Sequence, residues 1–300
     1  MPVASANFSG AFLQNGLGAR SMGMGGAFVG VADNAAAPFW NPAGLIGVKG
    51  KDVLAAYNPL SLDRNQSSLA FALNARGELA FGLGWLHAGV GELIGRTASG
   101  RPTGKLEDNE NAFFVGVARA VGSRLALGFT MKRLDHSIKV PGRDTSSGSG
   151  FGFDLGAQYQ LTRRTTLGAV VRNLGASLDW NVRRLSPRTA ATQEKLPVEL
   201  GLGIAYEPLS DVIDLILAAD LYSNEVDQHL NVGAEWTVNA LLTLRSGFNR
   251  LPGDDRAIGS TAFGLTIRPM RQRTFQLHYA YGSDEIGGGA RAVYGLSVAF

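Results

Sequence analysis

The chain of 300 residues has no cysteine, which excludes disulfides and cysteine-based metal or thiol chemistry. It also lacks any run close to the roughly 20 apolar residues that a membrane helix requires, so helical spanning is excluded. Neither sign of charge dominates: 28 Lys and Arg stand against 25 Asp and Glu, and a net charge of +3 is too slight to imply nucleic acid as a partner. Catalytic signatures are missing as well. There is no G-x-S-x-G elbow, no P-loop, no G-x-G-x-x-G behind a strand and no H-E-x-x-H, and His87, His136, His229 and His278 are scattered. No enzyme, cofactor or metal site is expected from such a chain. Proline is scarce, at 11 against 40 glycines, and the glycines are unclustered and without a three-residue period. That points to strands with one face that stays small.

What is present shows best at residues 290 to 300, which read A-R-A-V-Y-G-L-S-V-A-F. Side chains alternate across a strand, so Ala292, Tyr294, Leu296, Val298 and Phe300 share one face while Arg291, Gly295 and Ser297 share the other. A greasy face ending on an aromatic ring suits the last strand of a transmembrane barrel, whose outer side meets lipid. Alternation also reconciles 45% hydrophobic content with a mean hydropathy of +0.03. Ala4-Ser5-Ala6 has the small-x-small form of an export cleavage site with no basic and apolar stretch before it. It reads either as the trimmed end of such a signal or as a chance tripeptide of an Ala-rich chain.

From residue 51 onward, short alternating segments repeat with turn signals between them. Leu200, Leu202 and Ile204 oppose Gly201 and Gly203; Leu230, Val232 and Trp236 oppose Asn231, Gly233 and Glu235. Fourteen strands are expected, over 51–58, 67–75, 78–88, 111–120, 124–137, 150–161, 165–178, 196–207, 212–222, 228–238, 240–249, 259–268, 273–282 and 290–300. Connections alternate between short ones, as at 75–77, 122–123 and 162–164, and mostly longer ones, as at 89–110, 138–149 and 179–195. In bacterial barrels the short turns are periplasmic, which puts both termini in the periplasm. The expected fold is therefore all-β, a fourteen-stranded antiparallel transmembrane β-barrel over residues 51–300, in the outer membrane of a Gram-negative bacterium. A soluble sandwich or propeller shares the alternation but would need a common core opposite Lys132, Asp154, Arg172, Glu199, Asp220, Glu235 and Arg245, whereas a polar lumen needs nothing further.

Residues 1–50 do not alternate. The stretch Gly18 to Leu45 is dense in Gly and Ala, and small residues allow close packing, so it suits a plug folded into the lumen. The run Met22-Gly23-Met24-Gly25-Gly26-Ala27, with Val31-Ala32-Asp33 and Trp40-Asn41-Pro42-Ala43-Gly44-Leu45, resembles the N-terminal signature of the FadL superfamily of outer-membrane proteins, nearest its PorV/PorQ group. The resemblance implies a hatch, with Gly23, Gly25, Gly26, Asp33, Trp40, Asn41, Pro42 and Ala43 as its motif. Pro38 departs from the family pattern and limits any helix after Asp33 to about one turn.

Two functions follow from the resemblance. As a FadL-like transporter, the barrel would pass small hydrophobic molecules that meet the hatch and leave sideways into membrane lipid, with Gly82, Gly84, Gly89 and Gly91 as a candidate lateral port. As a PorV-like barrel, it would dock secreted proteins or secretion-system components. The acidic stretch Glu107-Asp108-Asn109-Glu110 reads as a solvated loop, or else as a divalent-cation holder between lipopolysaccharide phosphates. His278 with a lumenal serine reads as a hydrogen-bonding lumen residue before it reads as a hydrolytic pair. Tyr294, Gly295, Val298 and Phe300 resemble the signal that the barrel assembly machinery reads on a last strand. Deleting Phe300 is expected to lower membrane insertion more than stability in detergent. Measuring both side by side tests this, and an equal loss would rule out a recognition role.

Overall fold

In a computed structural model of the chain, the described residues are 10–75, 77–91, 93–142, 145–181, 192–208, 213–251, 258–270, 273–283 and 290–300. Ala4-Ser5-Ala6 and parts of the long connections lie outside them. Seventeen strands form one sheet. They are β1 (Lys51–Pro59), β2 (Arg64–Ala75), β3 (Leu79–Val90), β4 (Leu93–Arg96), β5 (Pro102–Val121), β6 (Leu125–Lys139), β7 (Ser146–Thr162), β8 (Thr165–Leu174), β9 (Ser177–Asn181), β10 (Thr192–Lys195), β11 (Glu199–Tyr206), β12 (Asp214–Ser223), β13 (Gln228–Thr237), β14 (Leu242–Leu251), β15 (Ile258–Met270), β16 (Arg273–Ser283) and β17 (Ala290–Ala299).

Fourteen of these close a barrel, each antiparallel to its neighbours, and β1 pairs with β17 from Asp52↔Ala299 to Tyr57↔Tyr294. Closure leaves no free edge, the condition for a sheet to sit in hydrocarbon. The other three are additions at the barrel end opposite Phe300. Strand β4 pairs only with the start of β5, and β9 pairs with both β7 and β10. The expected loop at 89–110 is therefore largely a hairpin, since β5 begins at Pro102 and not at 111. The expected strand 165–178 is also shorter. It stops at Leu174, because Asn173 and Gly175 both take φ +64, a left-handed geometry that ends a ladder.

The two faces differ as the alternation requires. Leu83, Leu202, Leu221 and Trp236 point out, 45 to 53% exposed, while Ala72, Ala80, Ala112 and Ala280 point in and are fully buried. A ridge of rings crosses the outside, Phe263, Tyr279 and Tyr294, with centroids 5.4 Å apart. A continuous apolar exterior is the surface a bilayer takes. Arginine at outward Leu202 should cost about 2–4 kcal/mol at mid-bilayer. Arginine at inward Gly203 should instead act by crowding, since a Cβ there would come within 2.8 Å of the Gly30 backbone. Spin labels at the two positions should report lipid and protein interior respectively; water at both would refute this register.

Candidate functional site

The polar interior is filled by the chain's own beginning. Residues 10–50 run inside the barrel with only short helical pieces of one or two turns: 3-10 helices at Ala11–Asn15 and Pro42–Gly47, α1 at Ala19–Gly23 and α2 at Ala37–Trp40. Pro38 lies in the first turn of α2, where its missing N–H costs nothing, and α2 holds one turn. Such a path leaves most backbone polar groups without partners of their own, so the wall must supply them.

It does so with side chains that the sequence marks only as polar. Asp220 on β12 accepts the N–H groups of Phe28 and Val29 at 2.5 and 2.7 Å, and Asp52 on β1 accepts that of Ala35 at 2.7 Å. Gln158 on β7 donates to the carbonyls of Val29 and Ala32, both at 3.2 Å, and Asn74 on β2 donates to those of Ile46 and Val48 at 2.6 and 3.1 Å. Asn41 reaches the other way. Its amide donates to Val29 at 3.0 Å and to Ala157 of β7 at 3.1 Å, while its Oδ1 accepts the Ala43 N–H at 3.1 Å.

Glycine makes the contacts close enough for these bonds. Four glycine pairs face each other across neighbouring strands: Gly82↔Gly116, Gly128↔Gly156, Gly168↔Gly203 and Gly233↔Gly247. Each pair receives a different part of the segment. Pro38 and Leu45 press on the first, Asn41, Pro42 and Ala43 on the second, Val29 and Gly30 on the third, and Met24 on the fourth. A Cβ at Gly128 would stand 2.2 Å from the Ala43 nitrogen, and one at Gly233 would stand 2.3 Å from the Met24 carbonyl. Within the segment, Gly25 is needed twice over, because its φ is +61 and a Cβ would meet the Phe248 backbone at 2.5 Å.

Charge ties the segment to the opposite wall. Arg20 of α1 donates through Nε and Nη2 to Glu235 of β13 at 2.7 and 2.8 Å and also pairs with Asp33, the motif aspartate. Glu235 is shared with Arg245 of β14 at 2.6 Å. Trp40 donates from Nε1 to the Leu17 carbonyl at 3.1 Å, and its ring meets Phe39 and Phe28 edge-on at 5.2 and 5.9 Å.

At the barrel end opposite Phe300, between Gly10–Gln14 and the Phe39–Trp40 turn of the segment, lies a cavity of about 90 Å³ lined also by Phe114, Tyr222, Arg172 and Leu196. The Arg172 guanidinium stacks 4.9 Å from the Tyr222 ring and 5.6 Å from the Trp40 ring, and its Nε lies 3.3 Å from Glu199. Lys132 donates to Asp154 at 2.7 Å and to Asn173 at 2.6 Å. Four rings and Leu196 make the main apolar part of the lining; much of the rest is polar, with Asn173, Asn224, Asn231 and Asn249 and with cations that hold acidic partners.

The remaining sequence-derived sites fall as follows. Gly82 and Gly84 face the interior, Gly89 lies near the far end of β3 and Gly91 just beyond it; β3 keeps unbroken register with β2 up to Val90 and with β5 up to Gly89, so no bulge falls at Gly82, Gly84 or Gly89. The break is between β7 and β8. Their ladder ends at Phe153↔Leu174 and β7 next pairs at Ser149↔Asp179 of β9, with Ala176 turned inward and buried against Gly152. The Asn-Leu-Gly at 173–175 was the available signal. His278 does meet a serine, Ser297 Oγ at 3.0 Å, but its other nitrogen faces Arg245 at 3.5 Å. A hydrolytic histidine needs a carboxylate there to support the imidazolium, and a guanidinium opposes it. Of the last-strand residues, Tyr294 faces out opposite Tyr279, Gly295 lies against Ala19, and Phe300 exchanges two backbone hydrogen bonds with Lys51, both 2.9 Å.

Removing a buried partner from an ion pair typically costs about 3–5 kcal/mol. Glu235→Ala leaves Arg20 and Arg245 side by side and should fall in that range, whereas Asp33→Ala should cost less, since the Asp33 side chain is 42% exposed. Urea unfolding in detergent micelles gives the order, and equal costs would show that Glu235 does not anchor the segment.

Known structures share this architecture. The toluene transporter TodX of P. putida superposes with a TM-score of 0.68 at 14% identity, over 95% of this chain and 99% of that one. The toluene transporter TbuX of Ralstonia pickettii gives 0.66 at 18% identity, over 95% and 98%. A Pseudomonas aeruginosa FadL homologue gives 0.62 at 14% identity, over 94% and 98%. At such identities the likeness is one of fold, that of the FadL-type barrel. No curated protein matches the chain in sequence. One family model does, the family of unknown function DUF5723, over residues 135–296. That span runs from the end of β6 to β17, more than half of the chain, and the protein therefore belongs to the DUF5723 family.

Proposed function

We propose that this barrel sits in the outer membrane of a Gram-negative bacterium, with the C-terminal Phe300 at the periplasmic end and residues 10–16 at the outer end, and admits small hydrophobic molecules. Residues 1–50 act as its hatch and residues 51–300 as the membrane barrel. The observation that carries the reading is the cavity of about 90 Å³, lined in part by four rings, against the segment that closes the lumen. Trp40 belongs to both, as cavity lining and as part of the hatch motif. At about 90 Å³ the cavity is smaller than the roughly 150 Å³ of apolar space that holds benzene, so it excludes a long acyl chain, and a single ring enters only if the lining side chains give way. The solved barrels with the same fold include two toluene transporters, which agrees with a ligand of that size.

In this reading, a molecule enters from the far end, rests against Phe39, Trp40, Phe114 and Tyr222, and leaves sideways into membrane lipid. The break between β7 and β8 at Asn173–Ala176 is a better lateral port than β3, because the barrel ladder loses pairing there beside the cavity, as it does to a smaller extent at the β13–β14 bulge near Asn231. No step calls for catalysis or a cofactor.

A docking role like that of PorV/PorQ barrels, with secreted proteins or secretion components as partners, is the second reading. The density of bonds between segment and wall favours it, since a plug held at four glycine pairs and a buried ion pair suits a barrel that stays shut.

Conductance in planar bilayers should be near zero for the intact protein and rise when residues 7–45 are deleted. Uptake of radiolabelled toluene by cells lacking other carriers should fall in Asn41→Ala and Pro42→Ala variants. Unchanged uptake together with loss of a secreted protein from the cell surface would replace transport with docking.

A further inference from the structure

The stretch at 107–110 is not a loop but part of β5, which separates its residues onto two faces. Asp108 and Glu110 continue the inward row of Ala112 and Phe114, while Glu107 pairs with Lys139 on the other face at 3.7 Å. The two inward carboxylates therefore do not point at lipopolysaccharide. They meet His136 of β6, which stands directly opposite Glu110 in the ladder.

We propose that Asp108, Glu110 and His136 form a binding site for a zinc ion inside the mouth of the barrel, at the end opposite Phe300. One ligand atom from each side chain lies within 4.8 Å of the others. The His136 Nε2 is 2.7 Å from Asp108 Oδ1 and 3.8 Å from Glu110 Oε1. Ligands about 2.0 Å from a tetrahedral ion stand about 3.3 Å apart, so one separation would open and the other close by about half an ångström.

Three further observations point to a cation. Glu110 Oε2 is shielded from solvent and has no hydrogen-bond partner among the described residues, and the carboxylate can turn it to the ion. An orphaned buried polar group costs about 1–3 kcal/mol, so such groups call for a partner. Among the described residues, no lysine or arginine forms an ion pair with Asp108 or Glu110, which leaves two carboxylates facing a single imidazole. The site is also walled. The Trp180 ring of β9 stands edge-on to His136 at 4.9 Å, and it fits there because Gly148, the partner of His136 on β7, has no side chain.

The donor set selects the metal. Calcium takes six to eight oxygens and magnesium keeps much of its water, whereas an imidazole with two carboxylates suits zinc. Three protein ligands leave a fourth position, reachable from outside through Asp108, whose side chain is 41% exposed. The cavity below it is a separate feature, since neither Asp108, Glu110 nor His136 lines it.

Titration calorimetry of the full chain in detergent micelles with zinc chloride, in the presence of excess magnesium and calcium, tests the site. One zinc per chain is expected. His136→Ala and Glu110→Gln should each weaken binding at least tenfold, since loss of even an outer-shell partner costs 10- to 100-fold. The folded band on unheated gels must persist in the variants. If Glu110→Gln fails to fold, Asp108→Asn, at the exposed edge, takes its place with the same expectation. Absence of stoichiometric zinc, equal competition by calcium, or unchanged affinity in folded variants would overturn the proposal and leave a histidine hydrogen-bonded to a carboxylate.

Discussion

An irregular backbone enclosed by a barrel has to find hydrogen-bond partners in the wall, because neither lipid nor a helix of its own provides them. Most of the interior follows from that constraint. The segment is close-packed and has only four short helical pieces, so its N–H and C=O groups reach Asp52, Asn74, Gln158 and Asp220 on four different strands. A wall that must offer hydrogen bonds cannot be apolar, and a wall that must let backbone approach backbone cannot carry side chains everywhere. The lumen meets both demands by alternating polar residues with glycine along the same inward row, as in Asp154-x-Gly156-x-Gln158 on β7.

The outer half of this architecture was legible in the sequence, for a physical reason. Lipid on one side imposes a strict period of two, and any slip would turn a charged row outward. All fourteen barrel strands are therefore visible as alternation, and the small inward residues at Gly82, Gly128 and Gly203 are visible as glycine. The glycine pairs are not. Gly128 and Gly156 are neighbours only through the register of β6 with β7, which no local pattern states. The same holds for Glu110 and His136, which read as an acidic stretch and an isolated histidine until β5 and β6 are paired.

Beyond the membrane the period loosens, and there the reading failed. The hairpin of β4 with β5 carries no apolar alternation because neither of its faces meets lipid, so residues 89–110 looked like a loop. The break after Asn173 was hidden by the opposite effect. Alternation continues through residues 165–178 as composition, and only the Asn-Leu-Gly turn signal competes with it. Gly82 and Gly84 are ambiguous for a related reason, since glycine in a strand marks either a bend or a close neighbour, and their neighbours are Pro38, Leu45 and Phe114.

The break and the ion pairs are linked. Asn173 uses its left-handed turn to give its N–H to Asp154 at 2.8 Å, while its Oδ1 accepts from Lys132 and its amide donates to the Pro197 carbonyl at 2.9 Å. The inward step of the wall at Ala176 is thus held by the same Lys132–Asp154 pair that borders the cavity. An apolar lining would have made that cavity greasier but left the irregular stretch at 173–176 with unpaired backbone. Charges inside this barrel therefore answer first to the chain's own backbone, and the aromatic rings of residues 10–50 and of β5 and β12 provide the apolar part of the cavity wall.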